Sequence, residues 1–371
     1  MTNKSKILFS FLYVIFVISL SNFFYLERGI TNGEERNLCL TELKNSFSLD
    51  EQEFNYLSTK SRLSNICQSN AGFDSIEYIK IAAGIKSFEP FSLRPIIPKL
   101  VGSIVSQFVE FNENKIRFIE LAQLVSLVMN IFFLIFGTLF LYAAIRKITD
   151  DIFLHVILPL IFIINIGTFQ TVSFFLLDVP SYFFASVIIY FTACRKPFYL
   201  AATIALGVLV KEVLIIYCLC FLFLFVSDKS IKFVKLTAYS LIPLLSFVMI
   251  RFLSETDLLS MQYGWNISEG EIKLDYLQNH LNWYGIPFLI KVFSALGFPI
   301  LILLSYYKNF KNYKFYIFLC LIMILSIIFA NLLLGARVPR VIFVIFPFIA
   351  FVIAIISNKN KSSSNLTCMN T

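Results

Sequence analysis

The sequence predicts an all-α integral membrane protein, with about ten transmembrane helices and a large first extracytoplasmic loop carrying interfacial amphipathic helices. Three observations predict it. The 371 residues are 58% hydrophobic and only 15% charged, beyond the roughly 50% and 25% of soluble domains. The excess falls in blocks of roughly 17–25 residues, the length a helix needs to cross about 30 Å of hydrocarbon. Basic residues recur at alternate ends of those blocks, the positive-inside pattern. The blocks are continuously apolar and do not alternate, so helices rather than barrel strands are the spanning elements.

In chain order the spans read as 7–25, 118–145, 152–169, 172–193, 198–213, 213–227, 236–253, 286–306, 315–334 and 341–357. The first ends in Phe23-Phe24-Tyr25 with no small-residue cleavage pattern and reads as an uncleaved anchor. The two spans meeting near Lys211 are both short, and read as two spans or as one broken or re-entrant unit. Lys4 and Lys6 precede the first span, and Arg146, Lys147, Arg195, Lys196, Lys229, Lys232, Lys235, Lys308, Lys311, Lys314, Lys359 and Lys361 follow at alternate span ends. That distribution puts both termini in the cytoplasm and explains the net charge of +8 by topology, so no nucleic-acid partner is expected. Residues 1–357 form one polytopic domain that includes the extracytoplasmic loop 26–117, and 358–371 read as a disordered cytoplasmic tail.

Within the first loop, the part through Cys67 reads as polar and irregular. Beyond it, Ile76, Tyr78, Ile79, Ala82 and Ala83 recur at helical spacing from Asp74 to Gly84. Pro90 to Pro95 is a break, and Pro95 to Phe111 reads as a second amphipathic helix at the membrane interface. A second outer loop, Ser254 to Gly285, carries Trp265, Trp283, Tyr263, Tyr276 and Tyr284, an aromatic content suited to the headgroup zone. Cys39 and Cys67 share a compartment that permits oxidation, but two cysteines define no framework and the spacing leaves a bridge open. No spacing typical of a metal site is present, and His155 and His280 are isolated.

The ionisable groups near the extracytoplasmic boundary are the candidates for chemistry. Asp74, Glu77 and Tyr78 share one helix face, as a reactive group or as a solvated polar face. Arg94, fixed among prolines, suits a phosphate or an ordinary phospholipid headgroup. Asp178 lies in an apolar run, where a carboxylate must face the protein interior or hold a partner. Lys211 and Glu212 stand between two apolar runs, and an Asp178–Lys211 ion pair of purely structural purpose is the competing reading. Arg337 and Arg340 sit where the positive-inside rule disfavours arginine, which anion binding or an ordinary short loop would explain.

Local patterns tie these groups together. They are Asp74 with Tyr78 and the Ala-containing helix, Arg94-Pro95 with Pro98, Leu177-Asp178-Val179-Pro180 with Phe183-Phe184, Gly207 to Lys211, and Arg340 to Pro347. In that order they resemble the GT-C class of membrane glycosyltransferases, particularly its protein mannosyltransferase and lipid A aminoarabinose transferase branch. Ser75 stands where that branch often has a second carboxylate, which lies here at Glu77, and Glu212 where it often has glycine.

The resemblance implies an inverting transfer of a sugar from a polyprenyl-phosphate-linked donor to a glycan, lipid or protein acceptor. It places the reaction on the extracytoplasmic face of a bacterial inner membrane, among membrane lipid. Asp74 would be the base, assisted by Glu77, with Tyr78, Arg94, Asp178, Lys211, Glu212, Arg337 and Arg340 binding substrate. Some relatives use a divalent metal at the loop carboxylates, for which one Asp and one Glu make a thin site. The alternatives are a polysaccharide or O-antigen polymerase, with essential residues in two later outer loops, and a non-enzymatic transporter of lipid-linked glycans. A transporter wants paired broken helices, and the chain offers one such unit, near Lys211.

Overall fold

The structure is a computed structural model and describes residues 33–59, 67, 71–87, 91, 94–164, 176–227, 232–253, 302–334 and 338–358. Among them there is no strand. The helices are α1 (Gly33–Phe47), α2 (Glu51–Thr59), α3 (Ala71–Ala82), α4 (Ile96–Val105), α5 (Lys115–Ile148), α6 (Ile152–Ile164), α7 (Asp178–Ala193), α8 (Pro197–Val210), α9 (Leu219–Ser227), α10 (Phe233–Leu253), α11 (Lys314–Leu334) and α12 (Val338–Ser357). The span expected at 7–25, residues 286–301 of the span expected at 286–306, the outer loop 254–285 and the tail beyond 358 lie outside the described residues.

Among the described residues two helices, α5 and α10, are long and apolar enough to cross a membrane. On α5, the side chains of Leu124, Val128, Ile131, Phe132, Ile135, Phe136, Leu139 and Tyr142 are all exposed. Their spacing of three and four residues makes one stripe, about 27 Å long at 1.5 Å per residue. Asn114 caps the helix by accepting a hydrogen bond from the Arg117 amide (2.9 Å). The opposite side of α5 packs on α7, which also contacts α8 and α12. A β-carbon added at Gly137 would lie 2.9 Å from the Tyr182 ring and 3.1 Å from the Phe183 Cα, so glycine sets how closely α5 and α7 approach.

The segment expected as one apolar span over 213–227 is not a uniform α-helix. Lys211 is extended (φ −153°, ψ 116°), Glu212–Cys218 is a 3-10 helix, and only then does α9 begin. A 3-10 turn rises about 2.0 Å per residue, so residues 212–227 reach about 28 Å where an α-helix of that length reaches about 24 Å. The Tyr217 hydroxyl donates to the Val344 carbonyl (2.5 Å), tying the break to the first part of α12.

Residues 33–59, expected to be irregular, form α1 and α2 instead. Leu40, Leu43 and Phe47 of α1 are buried. Asp50 and Glu53 cap α2 reciprocally, the Glu53 amide donating to Asp50 Oδ1 (2.7 Å) and the Asp50 amide to Glu53 Oε2 (3.0 Å). The helix expected to run on to Phe111 stops at Val105. Phe111 turns inward instead, against Phe47 (5.9 Å between centroids) and Phe118 (5.5 Å). α3 is enclosed rather than laid on an interface, with Ile76, Tyr78 and Ile79 buried, whereas α4 keeps Ile96 and Leu100 exposed.

These loop helices share a hydrophobic core with Phe118, Ile119 and Ala122 of α5, with Leu176 and Leu177 before α7, and with Val210 at the end of α8. The loop therefore sits on the end of the bundle where α7 starts and α8 stops. The other end is closed separately. Asn358 Nδ2 donates to the Ile148 carbonyl (2.5 Å), the Ser357 hydroxyl to Thr149 Oγ1 (3.2 Å), and His155 Nε2 to the Thr149 carbonyl (2.5 Å). Arg146, Lys147, Arg195, Lys196, Lys308, Lys311 and Lys314 flank the helix ends there.

Candidate functional site

The site begins on α3. Its carboxyl end is set by Gly84 (φ 75°), whose successor Ile85 donates back to the Lys80 carbonyl (2.8 Å). Asp74, Glu77 and Tyr78 lie along one side of this helix, but in different surroundings. Asp74 is half-buried. Glu77 is buried, accepting from Lys80 Nζ (2.9 Å) and the Ser87 hydroxyl (2.6 Å), so its carboxylate braces the turn that leaves α3. Tyr78 is buried with the Phe91 ring edge-on at 5.2 Å, and its hydroxyl accepts from Arg94 Nη1 (3.1 Å).

Arg94 carries the site across to the bundle. Its Nε donates to Glu212 Oε2 (2.7 Å), and Nη2 donates to the other oxygen, Glu212 Oε1. This is a two-point pairing over 118 residues of sequence. Burial works against the Arg94 charge, but the Glu212 carboxylate and the Tyr78 hydroxyl outweigh it and hold the guanidinium well above its ordinary pKa.

One residue before Glu212, in the break after α8, Lys211 Nζ donates to Asp178 Oδ1 (2.7 Å). Asp178 is the first residue of α7, where the helix dipole favours a carboxylate. The side chain of Asp178 is 0% exposed, and those of Arg94, Lys211 and Glu212 are 10%, 15% and 21%. So dry a setting makes each pair depend on both members, since removing one partner of a buried pair costs about 3–5 kcal/mol.

Of the residues singled out in the sequence, the fold joins Tyr78, Arg94 and Glu212 directly, and Lys211 and Asp178 directly. Asp74 stands one helical turn from Tyr78. Arg337 lies outside the described residues, and Arg340 is described by its backbone alone, about 6 Å along α12 from Val344. Lys80, Ser87 and Tyr217 are additions. The Glu77–Lys80 pair was readable as an i, i+3 spacing, whereas nothing in an apolar run marks Tyr217 as a tie to α12.

Cys39 and Cys67 are disulfide-bonded, with Cα atoms 5.5 Å apart, fastening α1 to the approach to α3. Among the described residues no three His, Cys, Asp or Glu side chains group as metal ligands. Glu77 is taken by Lys80 and Ser87, so the loop carboxylates do not fit a divalent ion. No family model, curated protein or solved structure matches the chain.

Proposed function

We propose that the chain is a polytopic membrane glycosyltransferase of GT-C type, moving a sugar from a polyprenyl-phosphate donor to an acceptor at the extracytoplasmic face. One observation carries the reading: Arg94 links Tyr78, on the helix of Asp74, to Glu212, beside Lys211. Patterns scattered from residue 74 to residue 212 thus converge on one end of the bundle. The placement has further support. The exposed stripe on α5 is about as long as the hydrocarbon is thick. The basic turns gather at the end opposite the candidate site, as cytoplasmic turns should. A disulfide in the loop suits an oxidising compartment.

In this reading Asp74 takes the proton of the acceptor hydroxyl, whose oxygen attacks the anomeric carbon from the side opposite the phosphate. The bond from that carbon to the phosphate oxygen breaks, its electron pair leaves with polyprenyl phosphate, and the anomeric configuration inverts. General-base help of this kind contributes about 10²–10⁴-fold. Lys211, with Arg337 and Arg340, supplies positive charge for the departing phosphate. Asp178 holds the Lys211 ammonium before the donor arrives. Glu77 acts by bracing α3.

The test is incubation of the purified protein with a panel of polyprenyl-phosphate sugars and measurement of released polyprenyl phosphate. Release with at least one donor is expected, and no release from any would contradict the reading. The break at Lys211 favours a second reading, transport of an intact lipid-linked glycan. A transporter would move the labelled lipid across a vesicle membrane without releasing polyprenyl phosphate.

A further inference from the structure

We infer that Arg94 and Glu212 are positioning residues, which fix the helix of Asp74 against the helix break of Lys211 and do not bind the donor phosphate. The inference rests on the reading above for what is being positioned. Its geometry stands independently.

All three nitrogens of the Arg94 guanidinium already have protein partners, two on Glu212 and one on Tyr78. The Arg94 backbone is held as well. Its amide donates to the Phe91 carbonyl (3.0 Å), and Pro95 and α4 follow at once. With the Arg94 side chain only 10% exposed, a phosphate would have to enter a nearly dry two-point pairing and compete there with the Glu212 carboxylate. Lys211 stands apart from this pairing, at the helix break after α8, where its Nζ donates to Asp178 Oδ1 (2.7 Å).

The linkage is also short. Asp74 is about 6 Å from Tyr78 along α3, and Lys211 is the chain neighbour of Glu212, with Cα atoms about 3.8 Å apart. Between these ends lie only the Tyr78 hydroxyl, the Arg94 guanidinium and the Glu212 carboxylate. Such a strut transmits any change at Arg94 or Glu212 to the spacing of base and cation. A displacement of about 1 Å at a reacting centre can cost on the order of 10²-fold in rate.

The experiment is a double-mutant cycle on the purified full-length protein in nanodiscs, with Arg94→Lys, Glu212→Gln and the two combined. The readouts are amide hydrogen exchange over Ala71–Ala82, affinity for polyprenyl phosphate, and kcat and KM with any donor that turns over. Each single variant should speed exchange of α3 by about tenfold, and the double should be no faster than the faster single. Polyprenyl phosphate affinity and donor KM should stay within about twofold while kcat falls by about 10²-fold. A purely structural pair would leave kcat per folded molecule unchanged, and that result would overturn the inference. So would additive exchange effects, or an affinity loss of about tenfold or more in Arg94→Lys that Glu212→Gln does not share.

Tyr78→Phe keeps the ion pair and the ring packing, and serves if the charge variants do not fold. It should speed α3 exchange by about threefold at unchanged affinity, and an affinity loss without faster exchange would count against positioning. If wild-type protein binds no polyprenyl phosphate, the glycosyl-transfer reading falls, while the exchange cycle still decides whether Arg94 and Glu212 act as one unit.

Discussion

Single residues in this protein take their meaning from partners far away in sequence. Asp178 and Lys211 could each be picked out as ionisable groups in apolar runs, and their pairing was one of two readings the sequence allowed. Arg94 and Glu212 were both legible as candidates, but no local pattern tells that they bind one another across 118 residues. Spacing alone offers Glu77 as a reactive carboxylate or as part of a solvated face, and its burial against Lys80 and Ser87 depends on the turn after α3, which helical spacing does not describe. A separate residue-scale feature is Ser48, which follows α1 at φ 48°, with the Leu49 amide donating to the Lys44 carbonyl (3.0 Å). Only glycine adopts that left-handed position without a β-carbon penalty. Ser48→Gly should therefore stabilise α1 by about 0.5–1 kcal/mol, seen as slower hydrogen exchange over Gly33–Phe47. Equal or faster exchange would contradict it.

Elements were legible where hydrophobic periodicity was strong and hidden where it was diluted. The helix read from Asp74 to Gly84 is α3, and the apolar blocks near 118–145, 236–253, 315–334 and 341–357 are helical, as α5, α10, α11 and α12. Polar composition concealed α1 and α2, although Leu40, Leu43 and Phe47 at helical spacing and the Asp50–Glu53 capping pair were present to be read. The 3-10 form of Glu212–Cys218 lengthens the segment, and nothing in its apolar composition marks it. The packing of α4 on α3 depends on Gly102, where an added β-carbon would come within 2.1 Å of the Ala82 carbonyl oxygen. Backbone cannot yield to that contact as a side chain would. Gly102→Ala should push α4 off α3 at a cost of about 1–3 kcal/mol. Proteolysis of the loop at a lower temperature than in wild type would register it, and unchanged susceptibility would show that the contact is not limiting.

At the scale of the whole molecule, a disulfide-fastened loop docks on one end of a bundle whose two ends differ in charge, and the proposed chemistry lies at that end. The orientation is tested by cysteine labelling in intact cells. A cysteine introduced at Asn312, in the basic 3-10 turn, should be protected from an impermeant reagent added outside. Labelling there would invert the topology and remove the proposed site from the extracytoplasmic face. The helices α5 and α10 and the residue types at the site were legible in the sequence. The docking of loop on bundle was not legible, because it is made by long-range packing of Leu176, Leu177 and Val210 with the loop helices. The most direct measurement of the central claim is the rate of polyprenyl phosphate release by wild type and by Asp74→Asn under saturating donor. The substitution preserves shape and removes the base, so turnover should fall by at least about 10²-fold with donor binding kept. Release by Asp74→Asn at a near-normal rate would contradict the account.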